Sequence, residues 1–200
     1  MKRYIAKHGN QEMPELDVLK KELKRERYKR RFRRLLRSTV NALIVVAAVA
    51  ALIATLVLPV LQIAGTSMEP SLHDGDIVLL VKTDNLQTGD LCAFYYSNKI
   101  LIKRIIATPG DYIWLTEDGT VFLNGTELEE PYLEEKALGE CDVEFPYQVP
   151  ENNYFVLGDQ RETSIDSRSS VIGCVAEDQI IGKLICKVWP LEDFGFLRPQ

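Results

Sequence analysis

Histidine is nearly absent from this chain, with only His8 and His73 among 200 residues. Cysteine is also sparse, and Cys92, Cys141, Cys174 and Cys186 form no C-x-x-C pair. These shortages give a zinc site little support, and no metal or cofactor is expected. The cysteines read as small buried apolar side chains, although spacing alone leaves open whether any of them pair. Beyond the N-terminal segment, His73 is the one histidine available to activate a serine. It lies in Ser71-Leu72-His73-Asp74-Gly75-Asp76, a polar turn in which a solvated imidazole is the ordinary state. A Ser-His-Asp triad is therefore poorly supported.

Charge is missing altogether from residues 38–68. Val40 to Leu58 forms the apolar centre, interrupted only by Asn41 and Thr55. About 20 such residues in a helix cross the ~30 Å hydrocarbon layer of a membrane. Pro59 then opposes continuation, because its ring clashes with the preceding turn. The net charge of −5 hides an asymmetry. Residues 1–37 carry fourteen Lys/Arg against five Asp/Glu, and residues 38–200 carry ten against twenty-four. The basic cluster Lys29-Arg30-Arg31-Phe32-Arg33-Arg34 flanks only the N-terminal side of the apolar run, which places the N-terminus in the cytoplasm and the rest outside. A cleaved signal peptide is the rival reading, but both the 37-residue leader and the apolar run are long for one. Anionic lipid headgroups are a simpler partner for the basic segment than nucleic acid.

The expected organisation follows. Residues 1–37 form a basic cytoplasmic segment, its helix beginning near Met13-Pro14, and 38–63 a transmembrane anchor. Residues 64–190 form an extracytoplasmic β-rich domain with an acidic excursion near 111–151, and 191–200 a tail. Short runs rich in Val, Ile and aromatics predict strands at Ile77–Val81, Leu91–Tyr96, Ile100–Ala107, Tyr112–Leu115, Val121–Leu123, Tyr154–Leu157 and Ile180–Val188. Asp118-Gly119 and Asn124-Gly125 are hairpin signals. The fold class is mostly β, an antiparallel sheet behind a single N-terminal helix.

Three segments could carry chemistry. Ser67 lies directly after the uncharged run, in Gly65-Thr66-Ser67-Met68-Glu69-Pro70. A serine needs a base at neutral pH, and Lys103, in Ile100-Leu101-Ile102-Lys103-Arg104-Ile105-Ile106, becomes one if burial lowers its pKa. Period-2 alternation puts Lys103 with Leu101 and Ile105 on one face of an apolar strand, either buried or snorkelling to an edge. Arg104 does not deprotonate; a structural ion pair, with Asp111 as one partner, is its default role. The third segment, residues 158–168, contains one apolar side chain in eleven. It reads either as a solvated loop or as a polar network that orients a catalytic group. A serine at a membrane exit with an amine base beside it points to acyl transfer on something emerging from that membrane.

Together these segments resemble bacterial type I signal peptidases. The nucleophile region of that family is matched by Gly65-Thr66-Ser67-Met68-Glu69-Pro70-Ser71-Leu72 with Gly75-Asp76. Its base region is matched by Lys103-Arg104-Ile105-Ile106-Ala107-Thr108-Pro109-Gly110-Asp111, and its third region by residues 158–168. Gln160 and Ala107 replace the usual Asn and Gly, and Gly173 comes about two residues late. The resemblance implies a Ser/Lys dyad endopeptidase that removes signal peptides from exported preproteins, cleaving after small residues at −1 and −3. Ser67 would be the nucleophile and Lys103 the base. Ser164 would position Lys103, with Asp166 and Arg168 buttressing Ser164. The oxyanion site is expected at the Ser67 backbone N–H and at Gly65. Gly65 occupies the position at which some relatives add a serine hydroxyl. Ile63 and Met68 are expected walls of the substrate pockets. A self-cleaving repressor-type protease lacks support, since the chain has a membrane span and no DNA-binding segment. A penicillin-binding-type acyltransferase needs Ser-x-x-Lys, which does not occur here. A membrane-anchored binding or scaffold module of the same fold is the rival from a different class.

Overall fold

The computed structural model describes residues 16–57, 59–197 and 199. One long helix, α1, runs from Leu16 to Val57. Its first half is strongly basic and its second half is mostly Ala, Val, Leu and Ile, so it joins the basic segment and the apolar run in a single element. By length and composition it is able to cross a membrane. The start expected at Met13-Pro14 lies outside the described residues. The helix stops before Pro59, as the ring demands.

Among the described residues, the remainder contains twelve strands and two single-turn 3₁₀ helices, Glu177–Gln179 and Leu191–Asp193. The strands are β1 (Val60–Gln62), β2 (Ile77–Val81), β3 (Leu91–Tyr96), β4 (Lys99–Ala107), β5 (Tyr112–Leu115) and β6 (Val121–Leu123). After these come β7 (Thr126–Glu127), β8 (Tyr147–Gln148), β9 (Asn153–Leu157), β10 (Val175–Ala176), β11 (Ile180–Trp189) and β12 (Gly195–Phe196). Eight of them form one antiparallel sheet in the order β1-β2-β11-β3-β4-β9-β10, with β12 paired to β11. The other four form a second sheet in the order β7-β6-β5-β8.

The fold is the antiparallel β class expected, and all seven strands read from the sequence are present. Three expected boundaries change. Val60–Gln62, placed in the anchor, is instead the edge strand β1 on β2. The acidic excursion is not merely looped out, because its aromatic and β-branched residues build the second sheet. The C-terminal tail is tied down where Phe196 pairs with Cys186.

Central strands carry the core. Lys103 to Ala107 of β4 are buried one after another, because β3 lies on one side, β9 on the other, and apolar clusters cover both faces. β9 pairs with β4 only from Arg104 onward, so the edge of β4 from Lys99 to Lys103 is open on that side. The four cysteines are free thiols, with Cys92 and Cys186 buried and Cys141 and Cys174 half-buried.

Candidate active site

Ser67 sits in the connection from β1 to β2, pinned at its base on both sides. Ile63 N–H donates to Asp76 O (2.8 Å) and Gly75 N–H to Ile63 O (3.0 Å). Asp76 is itself buried and ion-paired with Lys187 at 2.6 Å. Within the loop Glu69 N–H donates to Thr66 O, and Leu72 N–H to Met68 O. Met68 and Leu72 are buried in the main core. The turn is therefore anchored by its own apolar residues, and the Ser67 side chain is left half-buried at the surface.

Lys103 projects from the open-edged end of β4 and is 3% exposed. Its Nζ lies 2.8 Å from Ser67 Oγ and 2.9 Å from Ser164 Oγ. Burial lowers its pKa from the usual 10.5 to about 8. Asp166 and Asp159 push the value back up, and Arg168 pulls it down. The amine is thus neutral in about a tenth of molecules at pH 7 and about half at pH 8, and in that state its lone pair can accept the Ser67 O–H. A 2.8 Å separation meets the geometric requirement for a nucleophile and its base.

The loop after β9 supplies the support. Ser67 O accepts from Gln160 N–H (3.1 Å), and Gln160 O accepts from Ser164 N–H (3.1 Å). Two backbone groups of residue 160 therefore tie the serines together. Its side chain faces solvent, so Gln in place of Asn leaves those bonds intact. Arg168 forks onto Asp166, with Nε to Oδ1 and Nη2 to Oδ2 both 2.8 Å, and Nη2 also donates to Ser164 O at 3.2 Å. Asp166 Oδ2 takes the Gly158 N–H at 2.9 Å. A Cβ at Gly158 would fall 2.5 Å from Ser164 Cβ and 2.7 Å from Ser67 O, so only glycine lets the three segments close. Farther on, Gly173 N–H donates to Ser169 O at 2.8 Å; the late glycine simply closes a longer turn.

Arg104 forms a buried ion pair as expected, but not with Asp111. It forks onto Asp159, with Nε to Oδ1 at 2.9 Å and Nη2 to Oδ2 at 2.6 Å, and also donates to Gly89 O and Ser71 Oγ. Asp111 instead takes Thr108 N–H and O–H and the Asn124 amide, which close the turn into the second sheet. Gly65 is also revised. It adopts φ +95°, and its N–H donates to Asp74 Oδ1 at 2.8 Å, so that donor is occupied. The Ser67 N–H makes no backbone hydrogen bond among the described residues. His73 is exposed. Glu130, Tyr132 and the pairing role of Arg161 were not singled out from the sequence; the one available signal was a tyrosine after Glu129-Glu130-Pro131 in a segment otherwise rich in solvated acids.

Beside Ser67 and Lys103 lies a cavity of about 190 Å³, walled by residues 61–65 with Met68 on one side and 100–102 on the other. Ile63 and Met68 both line it. Depressions of about 610 Å³ near Asn152 and about 410 Å³ over Trp114 are larger. They hold no serine–lysine pair, so size does not locate the chemistry.

Comparisons with known proteins concern the chain as a whole. A family model described as signal peptidase, peptidase S26, matches residues 36–189. Signal peptidase IB of Staphylococcus aureus (strain MRSA252) is 36% identical over 154 residues, 67% of this chain and 79% of that protein. Signal peptidase I T of Bacillus subtilis (strain 168) is 39% identical over 133 residues, 60% of this chain and 68% of that protein. The crystal structure of a signal peptidase I from Enterococcus faecalis V583 aligns with 52% of this chain and 99% of its own, at 29% identity and a TM-score of 0.42.

Proposed function

Because this chain belongs to the signal peptidase family, peptidase S26, we propose that it is a membrane-anchored serine endopeptidase that removes signal peptides from exported preproteins. The observation that carries this reading is the Lys103 amine, buried and 2.8 Å from Ser67 Oγ.

In the first half-reaction Ser67 Oγ attacks the scissile carbonyl carbon, and its proton passes to neutral Lys103 Nζ. The carbonyl π electrons move to oxygen, and the oxyanion is held by the Ser67 N–H. The C–N bond then breaks, and Lys103 returns the proton to the departing main-chain nitrogen. This releases the mature protein and leaves the signal peptide as an ester on Ser67. In the second half-reaction neutral Lys103 takes a proton from water, the resulting hydroxide attacks the ester, and Ser67 regains its proton. Ser164 keeps Nζ directed at Ser67 throughout, and Asp166 and Arg168 hold Ser164.

The open edge of β4 and the edge strand β1 flank the cavity. An extended chain can pair there through main-chain bonds, which explains tolerance of varied sequences. The small volume lined by Ile63 and Met68 suits small residues at −1 and −3. Helix α1, through its basic N-terminal flank, supports a cytoplasmic N-terminus with the β domain outside. It confines the site to the membrane plane where cleavage sites emerge, and raises their effective concentration. The bilayer and secretory preproteins are the partners; neither nucleic acid nor metal enters the mechanism.

The test uses the detergent-solubilised full chain and a preprotein with a small-x-small cleavage site. The parent cleaves it, and Ser67→Ala and Lys103→Ala each lose activity by several orders of magnitude. Parent-like cleavage by either variant would show the dyad to be wrong.

A further inference from the structure

Glu130 and Tyr132 belong to the acidic segment after β7, outside the three motif regions, yet both are buried. The Glu130 carboxylate is gripped by Arg161, with Nη1 donating to Oε2 at 3.2 Å and Nη2 donating to Oε1. Tyr132 O–H donates to Glu130 Oε1 at 2.7 Å. The Tyr132 ring lies under the guanidinium of Arg104, 3.8 Å from carbon to ring centroid. Arg161 Nε donates to Gly158 O at 3.1 Å. A substituent on Gly158 would meet both Ser164 and the Ser67 carbonyl. One short strap therefore touches the arginine next to Lys103 in sequence and, through Arg161, the glycine against which Ser164 rests.

Burying a Glu–Arg pair is a poor route to stability, since matched apolar side chains serve as well or better. What the fork provides is a fixed geometry, two parallel bonds to a planar guanidinium. Here the guanidinium's third contact is a carbonyl of the loop that carries Ser164. We propose that Glu130 and Tyr132 are positioning residues for the peptidase reaction. They hold the Gly158–Arg161 turn, and through it Ser164, where Lys103 Nζ needs it. This rests on the function proposed above and adds residues from the second sheet's connection to it. None of the strap residues lines the cavity beside Ser67. Their loss should therefore reduce kcat and leave KM nearly unchanged.

The experiment measures kcat and KM on the same preprotein for the full chain and three variants, with thermal melting alongside. Glu130→Gln removes the charge and Tyr132→Leu removes both hydroxyl and ring. Tyr132→Phe keeps the ring over Arg104. For Glu130→Gln and Tyr132→Leu, kcat falls roughly tenfold or more, the scale of one lost hydrogen bond to a charged group, with KM within about twofold. Tyr132→Phe loses the bond to Glu130 but keeps the ring under Arg104, and recovers only the part of the Tyr132→Leu loss that the ring carries. Tyr132→Leu buries no unpaired charge and so gives the answer even if Glu130→Gln fails to fold. A Tyr132→Leu protein with parental kcat, or one whose loss lies entirely in KM, overturns the proposal. A Ser67→Ala control separates the two readings. Cleavage that survives it sinks the proposed function, whereas Ser67-dependent cleavage with indifferent strap variants sinks only the strap.

Discussion

Adding one methyl group at Gly158 tests the packing of the site most severely. The Cβ of Gly158→Ala would sit 2.5 Å from Ser164 Cβ and 2.7 Å from the Ser67 carbonyl oxygen. Non-bonded carbons rest at about 3.5–4.0 Å, so the contact with Ser164 must open by about 1 Å. The Ser67 carbonyl is main chain and is fixed by Gln160 N–H, which leaves Ser164 as the part that moves. Its Oγ lies 2.9 Å from Lys103 Nζ, and a displacement of that size breaks the bond and releases the amine. A misplacement of about 1 Å in a catalytic group costs roughly 10²-fold in rate, or about 2.7 kcal/mol of barrier. The accompanying overpacking should cost about 1–3 kcal/mol of stability. Single-turnover cleavage of a preprotein by parent and variant reads the first quantity, and thermal melting reads the second. A Gly158→Ala protein that melts cooperatively and cleaves within about twofold of the parent would refute the packing argument.

Lys103 should be a stability liability. Its folded pKa of about 8 lies below the ordinary 10.5. The unfolded chain therefore binds more protons between those values, and stability rises with pH across that window. By this linkage the buried amine costs on the order of 3 kcal/mol below about pH 8. Lys103→Met should melt higher than the parent at pH 7, with the gap narrowing towards pH 10.5; a variant that melts lower at pH 7 contradicts the assignment. Arg168→Ala strips the partner from buried Asp166 and should destabilise by about 3–5 kcal/mol. Lys136→Ala breaks an exposed pair with Glu127 and a long 3.4 Å bond to Thr120 Oγ1, and should stay within about 1 kcal/mol in denaturant titrations.

The residues that sequence reasoning identified well were those whose local pattern carries their placement. Strands β2, β3, β5 and β6 match their expected bounds because short runs rich in apolar and aromatic residues, bounded by Gly, Asp and Asn, are local signals. Ser67, Lys103, Ser164, Asp166 and Arg168 lie in dense, distinctive segments, and the fold brings them together. Strands of two or three residues such as β7, β8, β10 and β12 have no period to read. Long-range partners were the harder part. Asp111 was a reasonable partner for Arg104 by proximity, but Asp159, 55 residues away, reaches it because β4 and β9 are neighbours in the sheet. Glu130 looked like one solvated acid among many, and only the tertiary path of its segment buries it against Arg161. The Gly65 N–H could not have been known to be spent on Asp74 without the loop's closure.

The pH dependence of kcat/KM tests the Ser67–Lys103 assignment most directly, because it reports the ionisation of the free enzyme's base. A lysine base acts when neutral, so activity should be half-maximal near pH 8, approach its plateau about a unit higher, and fall about tenfold per pH unit well below it. A single acid limb centred near 8 is the predicted result. A profile flat from pH 6 to 10, or a limb centred near the ~6.5 of an ordinary histidine, would contradict a buried lysine as the base for Ser67.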